Sequence, residues 1–131
     1  MVIQIQNPLT PCKRGSKNCV SSVNNPSHSY SYIEPISFHN TPSSGDILSL
    51  IKSELKNDRH ATLTEERDHF LHYVFTTSWL NFKDEVYFFH DQNEKVVHIK
   101  SSSRIGYYDF HTNRKRLDRI RHAIETNMQI K

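Results

Sequence analysis

The chain has 131 residues, a hydrophobic fraction of 35% and a formal net charge of +3 with its nine histidines neutral. This length suits one domain, and a domain of this size needs no metal or disulfide to fold. The small net charge does not by itself indicate nucleic-acid binding, and no apolar stretch reaches the roughly 18 residues that span a bilayer. Residues 1–10 alternate apolar and polar side chains, unlike a signal peptide, so we expect a cytoplasmic protein.

The first part of the chain, residues 1–42, is predicted to be a long irregular segment. It holds all five prolines and is rich in Ser and Asn, without helical or alternating apolar periodicity. A disordered segment would lack large apolar side chains, whereas several lie between Tyr30 and Phe38. We therefore expect these side chains to anchor the segment on the domain, with a short strand near Ile36.

Two segments carry apolar residues at helical spacing. Residues 43–57 begin with capping-box spacing, in which Ser43 is a candidate N-cap and Asp46 follows three residues later. An apolar stripe then runs to Leu55. A second stripe in residues 113–125 consists of Leu117, Ile120 and Ile124. We predict a helix for each segment.

Between the two predicted helices, residues 61–104 show the pattern of an antiparallel sheet. The predicted strands cover residues 61–66, 70–77, 84–90 and 95–101, and the last two form a hairpin around Gln92-Asn93. The order helix, antiparallel strands, helix is typical of an α+β fold. We predict one domain over residues 1–131, with a single antiparallel sheet of four to five strands, two helices and the long irregular N-terminal segment.

The two faces of the predicted hairpin are both apolar. One face combines Val86 and Phe88 with Val97 and Ile99. The reverse face holds Tyr87, Phe89, Val96 and His98, too apolar a set for free exposure to water. We expect the N-terminal segment or a further helix to cover this face. A ligand cavity or a dimer surface is the alternative.

Two cysteines, Cys12 and Cys19, flank a short basic stretch with Gly15 in its middle. Two thiols at this spacing can be a reduced, packed pair or a disulfide that closes a loop. The neighbouring cations would lower a thiol pKa, so a redox-active or nucleophilic cysteine is the alternative. A zinc site normally needs four ligands with closer pairs, and the histidines have no ligand spacing. We therefore predict no metal and no cofactor.

The strand-to-helix connection after residue 100 is the strongest candidate site. Cations at 114–116 would occupy the first turn of the second helix, where the helix dipole is already positive. A bound anion would explain them, and pairing with internal carboxylates is the alternative. The candidate ligand-binding residues are Ser101, Ser103, Arg104, Tyr107, Asp109, Asn113, Arg114 and Arg116.

These residues also carry a family resemblance. Pro11-Cys12, Asn18-Cys19-Val20-Ser21-Ser22, Ser103-Arg104-Ile105-Gly106, Asp109 and Asn113-Arg114-Lys115-Arg116 together resemble the domain of unknown function 1499 family. Leu71-His72, Phe75 and Asp84-Glu85-Val86 are similar to the central strands of that family. The resemblance covers residues 8–125. It implies an architecture and a key surface, because no reaction is established for the family.

We therefore predict a small binding module for a small anionic or amphipathic ligand at the strand-to-helix junction. The first alternative is an enzyme or redox protein that uses Cys12 and Cys19. The second is a structural or interaction protein, or a weak nucleic-acid binder through residues 114–121, where Asp118 interrupts the cations.

Overall fold

The computed structural model describes residues 6–38, 46–78 and 80–129. Within these ranges, six strands form one antiparallel sheet with the order β1-β6-β5-β4-β3, and β2 pairs with another part of β6. The elements are β1 (Cys19–Ser21), β2 (Ile36–Ser37), α1 (Asp46–Leu55), β3 (Ala61–Arg67), β4 (Phe70–Thr76), β5 (Lys83–Asp91), β6 (Val96–Ser103) and α2 (Thr112–Gln129). The predicted α+β class is confirmed, with one strand more than expected.

The extra strand belongs to the segment that was predicted to be irregular. The three residues of β1 pair with the end of β6, where Val20 lies opposite Ser101. The short strand predicted near Ile36 is confirmed as β2. The four central strands begin and end within two residues of their predicted limits. A three-residue strand leaves almost no alternation in the sequence, which explains why β1 was missed.

Both helices are present, with different limits from those predicted. The first runs from Asp46 to Leu55, and its candidate cap Ser43 lies outside the described residues. The second continues to Gln129, four residues beyond its predicted end. No glycine or proline interrupts those last residues, so the helix continues after its apolar stripe ends. No helix in the described part of the chain is long and apolar enough to cross a membrane.

The β5–β6 hairpin has a longer turn than predicted. Asp91 pairs with Val96, so four residues form the connection. The Asp91 carboxylate accepts hydrogen bonds from the backbone N–H groups of Asn93 and Glu94, each at 3.0 Å, and Lys95 has a positive φ of 57°. This shifts the pairing by two residues relative to a two-residue turn. Because side chains alternate with a period of two, the predicted faces are unchanged.

The main core lies between the helices and one face of the sheet. Its centre is Phe88, which is fully buried together with its neighbours on β5 and β6. The helices cover this face with the apolar stripes that their sequences predicted. The core residues contributed by the two helices are Ile47, Ile51, Leu55, Leu117, Ile120 and Ile124.

The N-terminal segment covers part of the reverse face. Leu9 packs with Phe70 and Phe89 in a second buried cluster, against which Tyr87 also packs. The Lys100 ammonium group donates a hydrogen bond to Thr10 Oγ1 at 2.8 Å and holds the same segment in place. The expectation that the N-terminal segment covers this face is confirmed for the part around Phe70 and Phe89.

Truncation of the central core side chain tests this packing. We expect Phe88→Ala to lower the free energy of unfolding by about 3–5 kcal/mol, because the helices and sheet cannot close the cavity. Urea titration monitored by far-UV circular dichroism measures this change.

The matched control is Phe82→Ala, which removes the same atoms from an exposed side chain. Its cost should stay below about 1 kcal/mol. Equal losses for the two variants would contradict the placement of the core.

Candidate functional site

Residues 104–111 connect β6 to α2 and are called the junction below. The chain turns sharply here, with φ values of 101° at Gly106, 53° at Phe110 and 63° at His111. Glycine adopts such values freely, but Phe110 and His111 need external support to remain in this region. The residues around the junction provide that support.

The side chain of Asn113 is the centre of this support and is fully buried. Its Oδ1 accepts hydrogen bonds from Ser101 Oγ at 2.6 Å and from Arg116 Nη1 at 3.0 Å. Its Nδ2 donates to Ser103 Oγ at 3.0 Å and to Asp109 Oδ2 at 2.7 Å. The oxygen and the nitrogen of the amide therefore each form two hydrogen bonds with side chains. Five of the eight predicted ligand-binding residues meet in this one network.

Arg116 is neutralised inside the protein. Its Nη2 donates to Asp84 Oδ2 at 2.6 Å, and the two side chains are 7% and 3% exposed. The guanidinium group also lies 5.0 Å from the ring centroid of Phe75. A buried pair of this kind is tolerated because Nη1 of the same guanidinium group also has partners, Ser101 Oγ and Asn113 Oδ1.

The other two predicted arginines point to separate partners. Arg114 Nη2 donates to the carbonyl oxygens of Ser29, Tyr30 and Tyr32, at 3.2, 2.8 and 2.5 Å. It therefore ties α2 to the N-terminal segment.

Arg104 is exposed, and its Nε donates to Glu85 Oε2 at 2.6 Å. His72 Nε2 contacts the other oxygen of the same carboxylate at 2.7 Å. Burial raises the pKa of Glu85, but hydrogen bonds from Arg104 and His72 outweigh it and lower the pKa overall.

Asp109 supplies the negative charge that the start of α2 requires. Its carboxylate accepts hydrogen bonds from the backbone N–H groups of His111 at 2.9 Å and Asn113 at 3.3 Å. Tyr30 donates its hydroxyl to the same carboxylate at 2.6 Å. Burial alone would raise the pKa of Asp109, but these hydrogen bonds lower it. Burial, together with this contact, raises the pKa of Tyr30 to about 12.

Residues 12–19, called the cysteine segment below, hold the other side of the junction. Lys17 accepts a hydrogen bond from the Asp109 N–H at its carbonyl oxygen, at 3.0 Å. The Asn18 side chain donates to the Gly106 carbonyl at 2.7 Å, and the Asn18 carbonyl accepts from Asn113 Nδ2 at 3.2 Å. No local pattern in the sequence could have indicated this role of Asn18, because it depends on contacts with residues 88 and 95 positions away.

Cys12 and Cys19 form a disulfide that closes the loop containing Lys17 and Asn18. Both cysteines are buried. The sequence allowed either a reduced, packed pair or a disulfide that closes a loop, and the structure has the disulfide. The bond fixes the length of chain that reaches the junction.

The junction exposes an unusual amount of apolar surface. The exposed fractions are 64% for Ile105, 95% for Tyr107, 48% for Tyr108 and 74% for Phe110. Phe82, which is also exposed, lies at the same end of the sheet, since the carbonyl of the next residue accepts the N–H of Arg104. Contiguous apolar patches on a protein surface often mark interaction sites.

A cationic cleft lies beside the junction, between residues 14–17 and residues 28–31, with a volume of about 320 Å³. Arg14 and Lys17 line it, and Lys17 Nζ lies 4.7 Å from the ring centroid of Tyr30. The Tyr30 ring also contacts those of Tyr108 and His111, at centroid distances of 5.8 and 4.6 Å. Tyr30 is therefore a wall shared by the cleft and the junction.

This end of the molecule also carries an excess of positive charge. Residues 13–17, 83–85 and 104–116 contain eight Lys or Arg and three Asp or Glu. Their net charge of +5 exceeds the +3 of the whole chain. Exposed apolar side chains and excess positive charge thus occur together.

Two other features lie away from the junction. A larger cleft of about 490 Å³ separates α1 from β3 and contains none of the predicted site residues. In the β5–β6 turn, potential ligand atoms of Asp91, Glu94 and His98 lie within 4.8 Å of one another. His98 Nε2 contacts Glu94 Oε1 at 3.0 Å, and Asp91 holds backbone N–H groups. The three side chains therefore have partners within the protein, and these contacts explain their proximity without a metal ion.

The buried ion pair below the junction gives one prediction. We expect Asp84→Asn to lower the free energy of unfolding by about 3–5 kcal/mol, because it leaves the Arg116 charge buried without a counter-ion. Glu66→Gln removes one partner of an exposed pair with Lys52 and is the control, with an expected loss below about 1 kcal/mol. Similar losses in urea titrations of the two variants would show that the Arg116 pair is not desolvated.

The lowered pKa of Asp109 gives a pH-dependent prediction. Ionised Asp109 stabilises the fold above its unfolded pKa of about 4, and this contribution is lost as pH falls through the lower folded-state pKa. Asp109→Asn should therefore cost stability at neutral pH, and its difference from wild type should shrink below about pH 4. Asp118→Asn, on the exposed side of α2, is the control and should cost less than about 1 kcal/mol at neutral pH. A constant difference for Asp109→Asn across the acid range would refute the shifted pKa.

Comparison with known proteins gives one match. The family model described as protein of unknown function (DUF1499) matches residues 8–124. No curated protein and no solved structure matches the chain significantly. The matched range contains the disulfide, the sheet, the junction and most of α2. The chain therefore belongs to the DUF1499 family.

Proposed function

We propose that the protein is a binding module for an anionic amphiphile, held at the junction and in the adjacent cationic cleft. The charged group of the ligand would lie near Arg14 and Lys17, and its apolar part would lie over Tyr108 and Phe110. The observation that carries this proposal is the run of four exposed apolar side chains next to that cleft. In the described part of the chain, Arg14 and Lys17 form no ion pair.

The contacts of Arg104, Arg114 and Arg116 favour an amphiphile over a simple inorganic anion. Arg116 and Arg104 pair with carboxylates, and Arg114 binds backbone carbonyls. A bare phosphate would therefore find few free donors here. An apolar tail would add about 0.8 kcal/mol for each buried CH₂ group, and it would cover side chains that otherwise face water.

The predicted site residues take two roles in this proposal. Tyr107 and Arg104 are exposed and would contact the ligand directly. The remaining predicted residues would maintain the shape of the junction through the hydrogen bonds described above. They are Ser101, Ser103, Asp109, Asn113, Arg114 and Arg116.

The disulfide is relevant to the alternative of an enzyme or redox protein, and to the predicted cytoplasmic location. A buried disulfide between Cys12 and Cys19 favours a structural role over a nucleophilic one, since a reactive thiol must be ionised and accessible. The cytoplasmic location stays a prediction. The disulfide weighs against it, because such bonds persist mainly in oxidising compartments.

A titration with dodecyl phosphate, kept monomeric below its critical micelle concentration, tests the proposal by isothermal calorimetry. We expect Arg14→Gln/Lys17→Gln to weaken binding at least about tenfold, because each charge-assisted contact contributes roughly 1.5–3 kcal/mol. Lys56→Gln/Arg59→Gln removes the same charge from exposed residues after α1 and should bind like wild type.

Two further ligands test the contributions of the charged group and of the apolar tail separately. Ethyl phosphate has the same charged group without the tail, and dodecyl maltoside has the tail without the charge. Both should bind much more weakly than dodecyl phosphate. Equal binding of ethyl phosphate, or an equal loss in the two double variants, would count against an amphiphile site at this position.

A further inference from the structure

The exposed junction side chains protrude from the surface. Tyr107 is 95% exposed and therefore makes almost no contact with its own protein. It follows Gly106, whose φ of 101° turns the chain outward, and Ile105 and Phe110 flank it with most of their surface exposed. A single small molecule would contact only part of the surface of side chains that stand out in this way, whereas an extended surface can contact all of them at once.

The base of the junction is fixed, so the protruding side chains need no ordering before they bind. Asn18 holds the Gly106 carbonyl, and Asp109 holds the N–H groups that follow it. Asp109 is itself held by Tyr30 and Asn113. A loop that is already ordered avoids the entropy cost of immobilisation on binding.

The composition around the junction matches the chemistry of a membrane interface. Tyr and Phe side chains combined with Lys and Arg are typical of protein segments that lie at the boundary between headgroups and acyl chains. Lys13, Lys83 and Lys115 are exposed around the junction, in addition to the two cations of the cleft. Each such cation strengthens the attraction to an anionic lipid surface.

We propose that the partner is the surface of a bilayer containing anionic lipids, into which Ile105, Tyr107 and Phe110 insert while the cationic cleft binds a lipid headgroup. This rests on the proposed function and deepens it, since the amphiphile is then a lipid that remains in its membrane. A nucleic acid fits the surface less well, because Ile105 cannot stack on a base and stacking is the main apolar contact for single strands.

Co-sedimentation with vesicles tests this inference on the full chain. We expect binding to vesicles of phosphatidylcholine mixed with phosphatidylserine, little binding to phosphatidylcholine alone, and weaker binding as salt screens the cations. Tyr107→Ser/Phe110→Ser should lower the partition coefficient at least about tenfold, because two exposed aromatic rings lose their membrane contact. Both side chains are largely exposed, so the variant should remain folded, which its circular dichroism and thermal midpoint verify.

Leu63→Ser is the matched control, because it removes an exposed apolar side chain from β3, away from the junction. It should bind vesicles like wild type. Equal binding to both vesicle types, or no effect of the junction variant, overturns the inference. Retention on single-stranded DNA without vesicle binding also overturns it and favours a nucleic acid.

The monomeric dodecyl phosphate titration separates this inference from the proposed function. If dodecyl phosphate binds and anionic vesicles do not, the bilayer inference fails and the amphiphile site stands. If neither binds, both proposals fail.

Discussion

Burial of the Asn113 side-chain amide is the constraint on which the junction depends. A buried amide without partners would cost several kcal/mol, so each of its polar atoms must be satisfied. The partners come from the end of β6, the start of α2 and the cysteine segment. Because one side chain must satisfy all three at once, their relative positions are fixed. The strained backbone at Phe110 and His111 is tolerated for this reason.

The cations at this end of the sheet include two sets. One set is bound by other groups of the protein, and the other lines the cleft. Asp84 neutralises Arg116, Glu85 binds Arg104, and backbone carbonyls hold Arg114. The cations of the cleft, which form no ion pair among the described residues, lie instead on the loop closed by the disulfide, beside the exposed aromatic residues. The three arginines therefore hold the junction in place, and the cations of the cleft are available to a ligand in the proposed function.

The sequence predicted the fold class, the central strands and both helices, because these depend on local periodicity. It also predicted the faces of the β5–β6 hairpin, since an even shift in pairing preserves them. The sequence named the residues that meet around Asn113 as ligand-binding, and this role stays a prediction. Its alternative, pairing with internal carboxylates, is confirmed for Arg116. The contacts of Asn18 and the cleft beside Tyr30 join distant parts of the chain, so local patterns in the sequence could not predict them.

In the proposed function, the ligand surface consists of the junction and the cleft that shares Tyr30 with it. Nuclear magnetic resonance titration of isotope-labelled protein with dodecyl phosphate tests this location directly. We expect saturable shift changes concentrated in residues 14–17, 28–31 and 105–110. Changes concentrated instead along the cleft between α1 and β3, at Lys52, Leu63 and Tyr73, would contradict it.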